Sequence, residues 1–258
     1  MQKSVVDYER QGEIGLVTLN NPEKRNVLSR MALQQLIERL DEAEAGGDVK
    51  CVILRAVGPA FSAGHDLREI VDANDAQRES LFTLCTQAMR SVRNLSLPVI
   101  AQVQGIATAA GCQLAATCDL IVAAEEATFA TPGIKIGLFC STPAVALSRA
   151  VGTKKAMEML LTAEPISARE AERIGLVNRV VPREQLAEAT LSLARQIAAA
   201  SPYTIGLGKR AFYEQAGLDI AAAYALTEKI MVENAKSSDA LEGMKAFLER
   251  RPPRWGGS

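Results

Sequence analysis

Residues 98–124 constrain the fold more than any other part of the sequence. Two short apolar runs, 98–103 and 120–124, have the length and the β-branched content of buried strands. Small residues fill the segment between them, which is predicted to be a loop that turns into a helix. A strand, a helix and a second strand in this order favour an α/β domain with largely parallel strand pairing.

The small residues between these strands also predict a binding site for a negatively charged oxygen. Because they lack bulky side chains, another group can approach the backbone closely, and the first N–H groups of the helix point outward at the positive end of its dipole. The alternative is that these residues serve only the tight packing of the helix on the sheet. They are Gly105, Ala107, Ala109, Ala110 and Gly111.

A second corner of small residues favours the binding-site interpretation. Residues 60–67, AFSAGHDL, follow a short apolar strand, and Gly64 permits a tight turn there. Asp66 stands where a helix N-cap is expected. If the fold brings the corners 62–66 and 108–113 face to face, their N–H groups could together bind one carbonyl oxygen as it becomes negative.

The charge balance and the N-terminal sequence narrow the class of protein. With 29 basic and 30 acidic residues the net charge is -1, which gives no basis for binding nucleic acid or an anionic membrane. No apolar run approaches the roughly 20 residues that cross a bilayer. The first residues, MQKSVVDYERQGE, lack the apolar core of a signal peptide and are too acidic for a transit peptide. We therefore expect a cytoplasmic protein.

The cysteines and the single histidine narrow the chemistry further. Five cysteines are present, an odd number, and none forms a C-x-x-C pair, so neither a disulfide framework nor a metal site is expected. His65 is the only histidine, which excludes every site that needs two of them. The sequence also lacks a G-x-S-x-G motif, a phosphate loop and a dinucleotide fingerprint.

The two ends of the chain differ in predicted structure. Residues 5–8 and 14–20 predict the two strands of a hairpin. From Pro202 onward the chain is predicted to be helical, with apolar residues on more than one helix face, which need another subunit or the body of the same chain to cover them. We therefore expect a core in residues 1–200 and a helical oligomerisation region in residues 201–258.

Six segments, in order along the chain, carry a family resemblance. They are NPEKRNVLS (21–29), AFSAGHDL (60–67), PVIAQVQGIATAAGCQLAATCDLIVA (98–123), FATPGIKIGL (129–138), ISAREAERIGLVNRVV (166–181) and EGMKAFLERR (242–251). Together they resemble the successive signatures of the crotonase, or enoyl-CoA hydratase/isomerase, superfamily. The resemblance implies a crotonase-like spiral of β-β-α units, a C-terminal helical trimerisation region, and a homotrimer or a dimer of trimers. It also implies an acyl-coenzyme A (acyl-CoA) ligand and no separate cofactor, because the substrate itself carries coenzyme A.

The resemblance assigns the thioester carbonyl to two backbone amides. By motif these are the amide of Ala63, which precedes Gly64, and the amide of Ala110, where the family usually has glycine. Alanine keeps the N–H donor but adds a methyl group and restricts the backbone. The remaining residues of the first corner are predicted to contact the acyl-CoA as well: Gly64, His65, Asp66 and Leu67.

The resemblance implies that two further segments bind coenzyme A. Lys24, Arg25 and Asn26 lie in the loop along which coenzyme A approaches in the family, and basic side chains there could meet its phosphates. A solvated loop is the alternative. Phe247 and Arg250 resemble the tail by which a neighbouring subunit contacts the nucleotide end of the ligand.

The sequence departs from the family at both catalytic glutamates. One should follow Cys112, where this chain has Gln113, and the other should follow Pro132, where it has Gly133. An amide orients a water but does not exchange a proton near neutral pH, and glycine does neither. Since each general acid–base group contributes about 10²- to 10⁴-fold, we expect very weak hydration.

Three other side chains are candidates for chemistry. Cys140 lies where a thiol could act as a nucleophile or an acid, although a small buried filler is the alternative. His65 adjoins the first corner but could instead have a capping or solvent-facing role, and Asp66 is expected to be a helix cap. Three hypotheses follow: an acyl-CoA enzyme that works without paired glutamates, a catalytically silent acyl-CoA binder, and a thioester hydrolase that uses Cys140 with His65.

Overall fold

The structure is a computed structural model that describes residues 4–257 of the chain. Within this range two sheets are present, one of six strands in the order β1-β2-β3-β5-β7-β10 and one of four in the order β4-β6-β8-β9. The strands are β1 (Val6–Gln11), β2 (Ile14–Leu19), β3 (Cys51–Ala56), β4 (Ala60–Ser62), β5 (Val99–Val103), β6 (Ile106–Thr108), β7 (Leu120–Ala124), β8 (Thr128–Ala130), β9 (Ile166–Ser167) and β10 (Arg179–Val181).

Helices follow the strands and fill the C-terminal part of the chain. They are α1 (Arg30–Ala45), α2 (Arg68–Val71), α3 (Asp75–Asn94), α4 (Ala110–Thr117), α5 (Ser141–Ala150), α6 (Thr153–Thr162), α7 (Ala168–Arg173), α8 (Leu186–Ala198), α9 (Pro202–Gln215), α10 (Ile220–Lys236) and α11 (Ser238–Leu248). Short polar side chains cap several of them. Ser29 accepts the amide of Ala32 at the start of α1, and Asn74 forms a capping box with Gln77 at the start of α3.

The strand pairing produces the predicted spiral. β1 and β2 form the antiparallel hairpin expected from the sequence, and β2, β3, β5, β7 and β10 then pair in parallel. The pairs β3–β4, β5–β6 and β7–β8 each give one strand to the large sheet and the next to the small sheet, before a helical segment follows. Corresponding strand ends are thereby stacked above one another, so the corners that follow β4 and β6 are neighbours.

The large sheet is covered on both faces, which explains its unbroken apolar strands. In β3, Val52 and Leu54 join the main core with α1 and α3, while Cys51 and Ile53 join a smaller cluster under α8. A strand that is buried on both faces shows no alternation of polar and apolar residues. The sequence therefore indicates β3 by its short apolar run rather than by a period of two.

A buried polar cluster fastens α9 to the core. The Lys209 Nζ donates to Asp119 Oδ2 at 2.7 Å and to the carbonyl oxygen of Leu97 at 2.9 Å. The Tyr213 hydroxyl donates to Asp119 Oδ1 at 2.7 Å, and the amide of Val99 donates to Asp119 Oδ2 at 2.7 Å. Because each oxygen of Asp119 receives a donor, the carboxylate is stabilised away from bulk water.

The helices beyond α9 carry exposed apolar side chains. No helix within residues 4–257 combines the length and the apolar character that crossing a membrane requires. The exposed residues are Ile220, Tyr224, Met231 and Val232 on α10 and Leu241, Met244, Phe247 and Leu248 on α11. The helical character predicted for this part of the chain is observed over residues 202–248, with breaks before α10 and α11.

Candidate functional site

A cavity of about 810 Å³ opens beside the first corner. Most of its lining is apolar, and Asp66 is the only acidic residue among the described residues that line it. The lining comes from four parts of the chain and from Phe82; these parts are Lys24 and Val27, then Ala63, His65–Arg68 and Ile70, then Thr108–Ala110, and last Pro132, Gly133, Lys135, Ile136 and Leu138–Pro143.

The two small-residue corners lie against each other at this cavity. Gly64 has φ +86°, and a Cβ built on it would lie 3.0 Å from the Ala109 Cβ and 3.2 Å from the Ala110 nitrogen. A side chain at residue 64 would therefore separate the corners as well as strain the backbone. The two corners therefore lie face to face, as the binding-site interpretation of the sequence requires.

Ala109 adopts a backbone conformation that is rare for a residue other than glycine. Its φ is 51° and its ψ is -121°. Strain of this kind costs about 1–3 kcal/mol and persists only where the surroundings hold it. Here the Ala109 N–H donates to the carbonyl oxygen of Ala130 at 2.9 Å, and its carbonyl accepts the N–H of Gln113 at 3.0 Å. The strained turn presents the N–H of Ala110, which starts α4 and has no acceptor among the described residues.

The prediction that Ala63 supplies the second free amide is wrong. The Ala63 N–H donates to the carbonyl oxygen of Arg25 at 3.0 Å, and the Gly64 N–H donates to Ser62 Oγ at 3.2 Å. The next amide, that of His65, has no acceptor among residues 4–257. The unengaged donors of this corner therefore follow Gly64 rather than precede it, and the amide of His65 is the first of them.

Asn26 does not face the cavity, which corrects its assignment to coenzyme A binding. Only 2% of the residue is exposed. Its Nδ2 donates to the carbonyl oxygens of Val57 at 2.9 Å and Ala60 at 2.8 Å, and its Oδ1 accepts the N–H of Asn21 at 2.8 Å. Asn26 thus holds its loop against the strand that leads into the first corner.

The other residues of this loop differ in position. Lys24 lines the cavity, with its Nζ 3.5 Å from Asp66 Oδ2. Arg25 is exposed and is not among the described residues that line the cavity. Asp66 also accepts the N–H of Arg68 at 3.1 Å through Oδ1, although the N-cap of α2 is the next residue, Leu67, and not Asp66 as predicted. Leu67 is exposed on the cavity wall.

His65 lines the cavity but does not form a catalytic pair. Its Nδ1 is 3.2 Å from the carbonyl oxygen of Leu28, and its Nε2 is buried without a partner among the described residues. The ring packs edge-on against Phe82, with 5.4 Å between ring centroids. Burial lowers the pKa of His65 from its usual 6.5, which favours the neutral imidazole.

Cys140 lines the cavity as a thiol. Burial raises the pKa of Cys140, and the nearby backbone of Gly133 partly opposes this rise. Neither ring nitrogen of His65 bonds to this sulfur in the described part of the chain, so the pairing of Cys140 with His65 for thioester hydrolysis stays a prediction that this geometry does not support.

The two positions where the family carries glutamates are both unsuited to a carboxylate. A Cβ built on Gly133 would lie 2.2 Å from the Leu138 carbonyl oxygen and 2.8 Å from Cys140 Sγ, so the loop itself fills the space of a side chain. Gln113 is 5% exposed, and its Oε1 is buried without a partner among the described residues. It is not among the described residues that line the cavity.

Most of the apolar wall of the cavity was not predicted from the sequence. Ile70 and Phe82 lie on helices whose apolar residues are indistinguishable from ordinary core residues in the sequence. Leu138, Phe139 and Pro143 follow the glycine-rich loop, and only an apolar pair in a loop could have indicated them. In contrast, Phe247 is 82% exposed on α11 and is not in the described lining.

Comparisons with known proteins agree over almost the whole chain. The profile of the family described as Enoyl-CoA hydratase/isomerase matches residues 9–258. The mitochondrial enoyl-CoA hydratase domain-containing protein 3 of Mus musculus is 48% identical over 248 residues, which are 95% of this chain and 82% of that protein.

Solved structures give the same result. The crystal structure of human enoyl coenzyme A hydratase domain-containing protein 3 has a TM-score of 0.95 and 45% sequence identity, covering 98% of this chain and 100% of that one. An enoyl-CoA hydratase from Mycobacterium smegmatis also has a TM-score of 0.95 and 45% identity, covering 98% and 99%. The crotonase-like α/β fold predicted from the motifs is thereby confirmed.

The relatives overturn the predicted location. Proteins from mouse, rat, human and zebrafish that are 46–48% identical to this chain are all named mitochondrial. The expectation of a cytoplasmic protein depended only on the lack of a targeting pattern in the first residues, and these names contradict it.

Proposed function

This chain belongs to the enoyl-CoA hydratase/isomerase family, and we propose that it binds an acyl-CoA thioester and polarises the thioester carbonyl through the amides of His65 and Ala110. The observation that carries this proposal is the pair of unengaged N–H groups at two touching corners of one apolar cavity. An amide without an acceptor in the protein is available to a ligand, and the first N–H groups of a helix are commonly of this kind.

The position of the two donors suits a developing negative charge. The Ala110 amide starts α4, an eight-residue helix, so the helix dipole adds to the donor. Both donors belong to the backbone and are fixed before any ligand arrives. In comparable sites the loss of one such donor costs about 3 kcal/mol of transition-state stabilisation.

The two parts of an acyl-CoA match different parts of the cavity wall. Lys24, Arg68 and Lys135 supply positive charge for the phosphates of coenzyme A. The acyl chain would lie against apolar side chains, which provide contact area without fixing its chemical identity. Those side chains are Ile70, Phe82, Leu138, Phe139 and Pro143.

Efficient hydration does not follow from this arrangement. Gln113 does not transfer a proton near neutral pH, and position 133 has no room for a side chain. We therefore propose a reaction that needs the polarised carbonyl but not two carboxylates. A catalytically silent acyl-CoA binder remains the alternative, and the crowding at Gly133 favours it.

The test compares two ligands that differ only at the carbonyl. Calorimetry should give an affinity about tenfold or more higher for a saturated acyl-CoA than for the S-alkyl-CoA of equal chain length, as expected for donors that would otherwise stay unpaired. Equal affinities would refute carbonyl binding. A parallel screen of several enoyl-CoA and acyl-CoA thioesters separates the alternatives, because binding of these thioesters without any turnover identifies the silent binder.

The exposed apolar faces of α10 and α11 support a proposal of assembly. Ile220, Tyr224, Phe247 and Leu248 are each more than 70% exposed, which is unusual for large apolar side chains on adjacent helices. We propose a homotrimer or a dimer of trimers, in which Phe247 contacts the ligand of a neighbouring subunit. Mass photometry that finds only monomers at micromolar concentration would contradict it.

A further inference from the structure

We infer that the imidazole of His65 is a positioning group, which by binding the carbonyl of Leu28 stabilises the direction that the backbone gives to the His65 N–H. The inference rests on the proposed function, because it concerns the amide that is assigned to the thioester carbonyl. It goes beyond that function by giving the side chain of His65 a role distinct from acid–base chemistry.

Leu28 forms hydrogen bonds with both residues of the peptide unit that carries this amide, Gly64 and His65. The Leu28 N–H donates to the Gly64 carbonyl oxygen at 2.7 Å, and the His65 Nδ1 lies 3.2 Å from the Leu28 carbonyl oxygen. The Leu28 residue is fully buried. A carbonyl only accepts, so this contact requires that Nδ1 carries the proton. The backbone of one buried residue, Leu28, therefore binds both the side chain of His65 and the carbonyl of Gly64.

The planar peptide bond between Gly64 and His65 sets the direction of the His65 N–H once the Gly64 carbonyl is held. The Gly64 carbonyl and the His65 N–H belong to one peptide, and no cis peptide occurs among the described residues. In a planar trans peptide the C=O and N–H groups point in opposite directions. Because Leu28 holds the Gly64 carbonyl on its own side, the His65 N–H is directed away from Leu28.

The segment that includes Leu28 is itself held rigidly. The Arg25 carbonyl accepts the N–H of Ala63 at 3.0 Å, and the Asn26 carbonyl accepts Ser62 Oγ at 2.8 Å. Residues 25–28 thus run beside the first corner and bond to it at successive positions. The imidazole of His65 adds a side-chain bond to this series, beyond Gly64.

Other roles for the imidazole fit the structure less well. An acid–base role needs a nitrogen that reaches substrate or water, but Nδ1 is engaged and Nε2 is sealed from solvent. A role in packing alone would explain the edge-on contact with Phe82 but not the bond to Leu28. The donor at Nδ1 is the feature that a positioning role requires.

Two substitutions separate the donor from the ring. His65→Asn keeps an N–H donor close to the position of Nδ1, whereas His65→Leu keeps the apolar bulk and removes the donor. Each variant is compared with the wild-type protein for its affinity toward acyl-CoA and toward the matched S-alkyl-CoA. We expect His65→Leu to lose most of the preference for the carbonyl ligand, by about tenfold, and His65→Asn to restore it.

The S-alkyl-CoA control distinguishes positioning from general damage. If His65→Leu retains the wild-type preference, or if both variants lose affinity for both ligands equally, the inference is overturned. If the wild-type protein itself shows no preference for the carbonyl ligand, the proposed function fails instead. The two failures are therefore distinguishable.

A measurement on the unmodified protein does not depend on how the variants fold. His65 is the only histidine, so ¹⁵N NMR of its ring requires no assignment. We expect the tautomer with the proton on Nδ1 and a bare Nε2 near neutral pH. A ring that carries its proton on Nε2 would overturn the inference, because such a ring cannot donate to Leu28.

Discussion

The cluster around Asp119 and the corner around His65 treat buried polar groups in opposite ways. Both oxygens of Asp119 receive donors, from Lys209, Tyr213 and the Val99 amide. At the corner, His65 Nε2 and the backbone amides of His65 and Ala110 have no partner among the described residues. The first arrangement fastens a helix to the core, and the second leaves polar groups free for a ligand.

The two regions differ in their effect on the free energy of unfolding. A buried polar group without a partner costs about 1–3 kcal/mol, whereas a paired one is close to neutral or favourable. The cavity combines such groups with the strained backbone of Ala109. A region that combines unpaired polar groups with backbone strain is a candidate for binding.

The largest expected effect comes from breaking the satisfied cluster. Lys209→Met leaves the carboxylate of Asp119 without its charged partner, and the loss of one member of a buried pair costs about 3–5 kcal/mol. The Lys209 side chain is only 7% exposed, which supports this magnitude. Urea unfolding measures the loss, with Lys154→Met, on an exposed part of α6, as the matched control. A loss below about 1 kcal/mol would contradict the assignment of this cluster as the fastening of α9.

The second effect is the cost of placing a side chain at position 133, where the family resemblance implies a glutamate. Gly133→Ala places a Cβ within 2.2 Å of the Leu138 carbonyl oxygen, so the loop must move, at a cost of about 1–3 kcal/mol in unfolding free energy. Acyl-CoA affinity should fall with it, because Leu138 lines the cavity. Gly217→Ala is the control, since its built Cβ meets nothing within 4 Å and the residue lies between α9 and α10. If both variants behave alike, position 133 has room for a side chain after all.

The third effect is a dependence of stability on pH. Because burial lowers the pKa of His65, the unfolded chain binds more protons than the folded one below pH 6.5. The wild-type protein should therefore lose stability as the pH falls from 6.5 toward the lowered pKa, by at most about 1.4 kcal/mol per pH unit from this residue. His65→Asn removes this contribution, so the two curves should diverge below pH 6.5. Parallel curves would mean that His65 is not buried as neutral imidazole.

The smallest effect concerns the unpaired oxygen of Gln113. Gln113→Met keeps the shape of the side chain and removes the buried Oε1, so stability should stay within about 1 kcal/mol of the wild type or rise. The same substitution at a paired residue would lower it. A large loss would show that Gln113 has a partner, such as a bound water.

The sequence predicts the scaffold of the site better than its donors. The hairpin and the parallel strands β3, β5 and β7 follow from short apolar runs and turn residues. The strands β4, β6 and β8 have only three residues each, which is too short for any periodicity. Their corners could be found because small residues mark them, not because the strands do.

Local sequence could not identify the free amide of the first corner. The Ala63 amide is engaged by Arg25, which lies far earlier in the chain and has a backbone φ of 51°. No pattern within residues 60–67 encodes that contact. Likewise, the crowding at Gly133 comes from a carbonyl oxygen at Leu138, and backbone atoms leave no signal in residue type.

The central claim is that two backbone amides polarise one thioester carbonyl, and isotope-edited infrared spectroscopy tests it most directly. An acyl-CoA labelled with ¹³C at the carbonyl is bound to the wild-type protein, and its C=O stretching frequency is compared with that of the free ligand. Two N–H donors should shift the band clearly to lower frequency. A band at the frequency of the free thioester, in a sample where the ligand is demonstrably bound, would contradict the account.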